Sequence, residues 1–99
     1  MKYIVTVRGK LKGSPDQARK LHDEIVSKSS PISKSMGNIS HLPHLNIQNN
    51  NEFLSLDVWD NLENLQKLYS DPNLGAEFGK LFDGMPDITV WGEAGWLQY

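Results

Sequence analysis

Apolar and polar positions alternate along residues 2–10. Tyr3, Val5 and Val7 point one way and Ile4, Thr6 and Arg8 the other, a period of two that predicts a strand. After Gly9 and Gly13 the period changes. Ser14-Pro15-Asp16-Gln17 has the residues of a helix start: a cap, a proline at the first helical position, an acid in the first turn and Gln17 to close a capping box. Ala18, Leu21, Ile25 and Val26 form the buried stripe of that helix, with Lys20, Asp23, Glu24 and Lys28 facing water. Ser29-Ser30-Pro31 predicts its end, because the residue before a proline avoids helical geometry, and Ile32–Gly37 then reads as irregular. A second strand is expected from about Asn38 to Gln48. Pro43 removes a ladder donor there, which makes it an edge strand or a bulged one. Asn49-Asn50-Asn51 supplies the turn of a hairpin.

The return strand places Leu54, Leu56 and Val58 on one face and Phe53, Ser55, Asp57 and Trp59 on the other. From Leu62 the apolar positions Leu62, Leu65, Leu68 and Tyr69 take helical spacing, with Asp60 and Glu63 placed as a capping box. Asp71-Pro72 stops that helix and starts another, whose stripe is Leu74, Phe78, Leu81 and Phe82 and whose stop is Gly84. Gly75 and Gly79 inside it imply either close packing on that face or a loose, lid-like helix, since each costs about 1 kcal/mol against alanine. Asp87–Glu93 alternates as a last strand, and an aromatic tail with Trp96 and Tyr99 follows.

The order strand, helix, strand, strand, helix in two pieces, strand is an α+β, ferredoxin-like βαββαβ arrangement: one antiparallel four-stranded sheet with helices on one face, a single domain over residues 1–99. The face left bare is assigned to Phe53, Ser55, Asp57 and Trp59, with Arg8 a possible ion-pair partner for Asp57. Half apolar and half polar, it predicts a homodimer packed sheet to sheet.

A chain of 99 residues buries a modest core, and three Trp, three Tyr and three Phe suffice to fill it. The net charge of −2, with both signs scattered, argues against a nucleic-acid or anionic-membrane surface. The middle strand also lacks the basic-Gly-aromatic signature of an RNA-binding sheet. With no cysteine, disulfides, thiolate metal sites and a Cys nucleophile are excluded. No apolar run approaches membrane length and MKYIVTVRGK does not read as a signal peptide, so a soluble, cytoplasmic protein is expected.

Candidate chemistry rests on His22, His41 and His44, whose side chains titrate nearest neutrality, and on the donors Asn38, Trp59 and Tyr69. Residues three apart on a regular strand point to opposite faces, so His41 and His44 do not share a metal ion unless a bulge at Pro43 intervenes, and no metal site is expected. His22, beside Leu21 and Ile25, reads as a boundary residue. Trp59 either closes the core or lines a pocket at the strand–helix junction. Asp57 is either a buried base or an ion-pair partner of Arg8.

Gly37-Asn38-Ile39, Asn51-Glu52-Phe53, Asp57-Val58-Trp59 and Leu65…Tyr69…Asp71-Pro72…Phe78 together resemble the antibiotic-biosynthesis-monooxygenase-like group of dimeric α+β barrel proteins. That resemblance implies sheet-to-sheet homodimers and a pocket between sheet and helices lined by Trp59. In that group some members oxidise quinols or polycyclic aromatics with dioxygen and no cofactor, and one branch degrades haem. The position ten residues after the Trp is frequently His in the group and is Tyr69 here, which tells against haem degradation.

The expectation is a cofactor-independent, monooxygenase-like homodimer acting on a small aromatic or quinol-type substrate. His44, His41 and Tyr69 are its catalytic candidates, and Trp59, Asn38, Phe78 and Phe82 its substrate-contacting candidates. The alternative is a non-catalytic protein holding a small ligand in the same pocket.

Overall fold

The computed structural model describes residues 1–99 and contains β1 (Tyr3–Lys10), α1 (Pro15–Ser35), β2 (Asn38–Leu45), β3 (Glu52–Trp59), α2 (Leu62–Tyr69), α3 (Pro72–Gly79) and β4 (Asp87–Gly92). The strands form one antiparallel sheet in the order β2-β3-β1-β4, which is the ferredoxin-like arrangement expected from the pattern. β2 is an edge strand, as a proline in it requires. Its irregularity falls between Asn38 and Ser40, while Pro43 pairs in register with Ser55.

α1 begins as the sequence dictates. Ser14 Oγ accepts from the Gln17 backbone N–H, and the Gln17 side chain accepts from the Ser14 backbone N–H. Its end differs from expectation: the helix runs through Pro31 to Ser35. A proline inside a helix forfeits one ladder bond and crowds the carbonyl four residues back. Here Ser27 and Ser33 hydroxyls donate to the carbonyls of Glu24 and Ser30 on either side, and the helix closes only at Met36, before Gly37 at φ +114°. The cap of α2 is Asn61, one residue later than the capping box read at Asp60, and its side chain accepts from Asn64 N–H. Asp71 caps α3 as expected. α3 stops at Gly79, so Leu81 and Phe82 lie beyond it, where Phe82 bridges to Leu11. Nothing approaches within 4 Å of a Cβ built on Gly75 or Gly79, which removes close packing as their reason.

The largest correction concerns the sheet faces. In register, Tyr3 stands opposite Trp59, Val5 opposite Asp57 and Val7 opposite Ser55, and this is the face that the helices cover. Phe53, Ser55, Asp57 and Trp59 are all buried. The bare face is the other set: Ile4, Leu42, Leu54, Leu56, Val58 and Trp91. Alternation separates two faces but does not say which one a helix covers. Polar Ser55 and Asp57 lie inside because Asp57 finds donors there. Arg8, on the bare face, pairs with Glu52 (Nε to Oε1 2.8 Å) and not with Asp57. That guanidinium, by hydrogen bond and charge with Asn46 assisting, holds the Glu52 carboxyl below its usual range.

The core divides into two apolar clusters. Leu11, Ala18, Ile25, Phe53, Leu81 and Phe82 form one, joined at its edge by Phe78. Val5, Trp59 and Leu65 form the other. Gly9 is required by the first: a Cβ there would sit 2.6 Å from Phe82 Cδ1. Leu65 is 1 % exposed, so Leu65→Ala should cost about 2–5 kcal/mol by urea unfolding, through lost contacts plus a cavity.

Candidate functional site

Between the two clusters β3 carries Ser55 and Asp57, and at Asp57 the core turns polar. Its carboxylate, 6 % exposed, accepts from His41 Nδ1 at 2.7 Å through Oδ1 and from the Tyr69 hydroxyl at 2.7 Å through Oδ2. His41 stands opposite Asp57 on β2, so strand register alone brings them together. Tyr69 arrives from the last turn of α2. On its other side His41 Nε2 meets His22 Nε2 of α1 at 2.8 Å, and His22 Nδ1 lies 3.0 Å from Asp23 Oδ1. Five side chains from two strands and two helices thus form one hydrogen-bonded line, Tyr69–Asp57–His41–His22–Asp23. It runs from the core to an Asp23 side chain that is largely in water.

A carboxylate in this position is costly unless its oxygens are filled, and both are. Burial, then the Asp57 charge, then its hydrogen bond to that charge all push the Tyr69 hydroxyl far above its ordinary value, so the phenol keeps its proton and acts as a donor. The indole N–H of Trp59, whose ring meets Tyr69 edge-on with centroids 6.3 Å apart, pulls weakly the other way. It is close enough to favour the phenolate yet is not in hydrogen-bonding geometry with any acceptor, which leaves it an unpartnered buried donor.

Beside this line a cavity of about 290 Å³ opens between the first half of α1 and the ends of β2 and β3. Leu11, Ala18, Phe53 and Leu81 supply apolar wall, and His22 and Asp23 bring the polar line to it. The sequence-derived candidates therefore separate. His41 and Tyr69 belong to the line. His44 borders the cavity but, paired with Leu54, sits on the opposite face of β2 from His41. Asn38 spends its amide on the carbonyls of Ser40 and Val58, pinning the irregular start of β2. Trp59 is 1 % exposed and closes the second cluster, and Phe82 and Phe78 pack in and against the first. None of these last three borders the cavity. His22, read from the sequence as a boundary residue, is instead a member of the line and of the cavity wall. Its only signal was a histidine within the apolar stripe of α1, one turn before Ile25.

The fold is shared with solved structures. SnoaB, a cofactor-independent oxygenase from Streptomyces nogalater, superposes with a TM-score of 0.75 at 11 % identity, over 99 % of this chain and 98 % of that one. Rv0793 from Mycobacterium tuberculosis gives 0.72 at 18 % identity over 99 % and 100 %. A protein described as an antibiotic biosynthesis monooxygenase gives 0.68 at 11 % identity over 95 % and 99 %. The chain shares the fold of these proteins. The resemblance read from its sequence motifs is borne out at that level. No family model and no curated protein matches the chain. No helix is long and apolar enough to cross a membrane.

The raised Tyr69 value gives a pH test of this geometry. Below the ordinary tyrosine value of 10.0 the folded and unfolded chains both hold the proton, and the contribution of Tyr69 is fully present. Above it the unfolded chain ionises while the folded chain does not, so stability falls with rising pH by about 1.4 kcal/mol per unit from this group. Tyr69→Phe should unfold with a correspondingly shallower alkaline slope in urea titrations between about pH 10 and 11.5. An unchanged slope would place the hydroxyl in water.

Proposed function

We propose that this chain is a cofactor-independent, monooxygenase-like protein that takes a small aromatic or quinol-type substrate into the cavity beside His22. The observation that carries this reading is a histidine at a cavity wall, His22, linked through His41 to a buried carboxylate, in a fold that SnoaB also has. At about 290 Å³ the cavity lies at the lower end of ligand pockets, near the size of a few fused rings.

The chemistry needs a base and little else from the protein. An activated C–H of the substrate loses its proton to the base, and the electron-rich anion passes electrons to dioxygen and forms a C–O bond. The base returns its proton to the peroxide. It then takes the second C–H proton as the O–O bond breaks, and that proton leaves with hydroxide as water. The sum is CH₂ + O₂ to C=O + H₂O. Positioned bases of this kind contribute about 10²–10⁴-fold. His41 is placed to serve through its partner, and His44 borders the cavity.

A second reading has its own support. All four ring nitrogens of His22 and His41 already have protein partners, as they would in a purely structural pair of a ligand-binding protein. Haem is a poor fit to either reading, because Tyr69 retains its proton and donates to Asp57 in place of offering a phenolate.

The bare sheet face supports a homodimer. Ile4, Leu42, Leu54 and Trp91 stand exposed on it beside the partly covered Leu56 and Val58. A patch of that composition is more than a monomer of this size ordinarily leaves in water.

Two measurements follow. Oxygen uptake with anthrones and quinols should run at one dioxygen per substrate and fall about 10²-fold or more in His41→Gln; ligand binding without uptake by the parent protein would favour the non-catalytic reading. Sedimentation should show a dimer at micromolar concentration and a monomer for Leu42→Lys combined with Leu54→Lys, whereas a monomeric parent protein would remove the sheet-to-sheet assembly.

A further inference from the structure

Counting protons along the line assigns the two imidazoles different states. Asp57 accepts on both oxygens, so His41 Nδ1, which faces it at 2.7 Å, carries a hydrogen. The two Nε2 atoms at 2.8 Å can hold only one hydrogen between them. Ring centroids 5.0 Å apart with planes 18° from parallel fit rings meeting edge to edge in one line. When the pair is neutral, His41 has used its single hydrogen on Asp57, so the shared one belongs to His22 Nε2. His22 Nδ1 is then a bare lone pair, which cannot bond to a carboxylate. The 3.0 Å contact with Asp23 therefore belongs to the protonated pair, and the neutral pair has Asp23 turned away. Both residues border the cavity. When the pair carries one extra proton, that proton rests on Nδ1 and donates to Asp23 at 3.0 Å.

We infer that His22, through Nδ1, is the catalytic base of this site, with Asp57 and His41 as positioning residues that fix its tautomer and Asp23 as the counter-charge of its protonated form. This rests on reading the cavity as the substrate site. The logic is that of a nucleophile-free triad: a buried carboxylate orients one imidazole, which orients the next. In the step itself a substrate C–H bond breaks, its electron pair stays on carbon and its proton goes to His22 Nδ1. Asp23, turned away in the neutral pair, leaves room for the substrate. It is free to move so, being exposed and held otherwise only by Arg19, 3.8 Å away. The line and the cavity rim also bring Asp16 and Arg19 of α1, His44 of β2 and Tyr69 of α2 near the pair.

The test separates proton abstraction from oxygenation. Anthrone deuterated at its methylene carbon is incubated with the protein without oxygen, and loss of deuterium is followed by NMR. The parent protein should wash the label out. His22→Gln should do so about 10²-fold more slowly or worse, with little change in the anthrone concentration giving half-maximal rate. Histidine ¹⁵N spectra of the ligand-free protein supply the second readout: His41 protonated on Nδ1, neutral His22 on Nε2, and His22 released to both tautomers in His41→Gln. Washout at the parent rate in His22→Gln, no washout by the parent protein, or a neutral His22 protonated on Nδ1 would each overturn the assignment. Washout without later oxygen uptake would leave His22 as the base and overturn the oxygenase reading alone.

Discussion

A carboxylate beneath the helices of a 99-residue protein is the constraint on which the rest of this structure depends. Asp57 is held between two small apolar clusters, where an unpaired charge would cost several kcal/mol, and a domain of this size has little stability to spare. The fold answers by sending it two donors from different elements. His41 comes by the register of β2 on β3, and Tyr69 by the length of α2. Each donor is then committed. Tyr69 is held in its protonated form, and His41 has one nitrogen left, which reaches His22. The polar line is the consequence of satisfying one buried charge, and the position of α1 brings its far end to a cavity.

The same economy shapes the sheet. Because polar Ser55 and Asp57 lie under the helices with Phe53 and Trp59, the leucines and valine of β3 are left on the outside. A monomer would expose them. The bare face and the buried carboxylate are therefore two aspects of one register on β3, and shifting it by one residue would reverse both.

Much of this was legible in the sequence. Period-two and period-3.6 runs gave all four strands and the starts of α1 and α3, because local chemistry at Ser14, Pro15 and Asp71 decides those starts. Pro31 misled, since losing one ladder bond weakens a helix without ending it, and α1 continues to Ser35. The face of β3 was misread because Phe53 and Trp59 beside Ser55 and Asp57 look like a half-polar dimer face until the donors of Asp57 are known. Those donors are 16 and 12 residues away, and no local pattern announces them. His41 was picked out as a titratable group on an edge strand, whereas His22 could be recognised only once α1 lay across β2.

The most direct measurement of whether Asp57 organises this site is a double-mutant cycle in urea unfolding between Asp57→Asn and His41→Gln. If the carboxylate holds the histidine, the first change should remove most of what the second would cost, giving a coupling of about 1–3 kcal/mol. Additivity to within about 0.5 kcal/mol would mean that the two side chains are merely neighbours, and the account would fail at its centre.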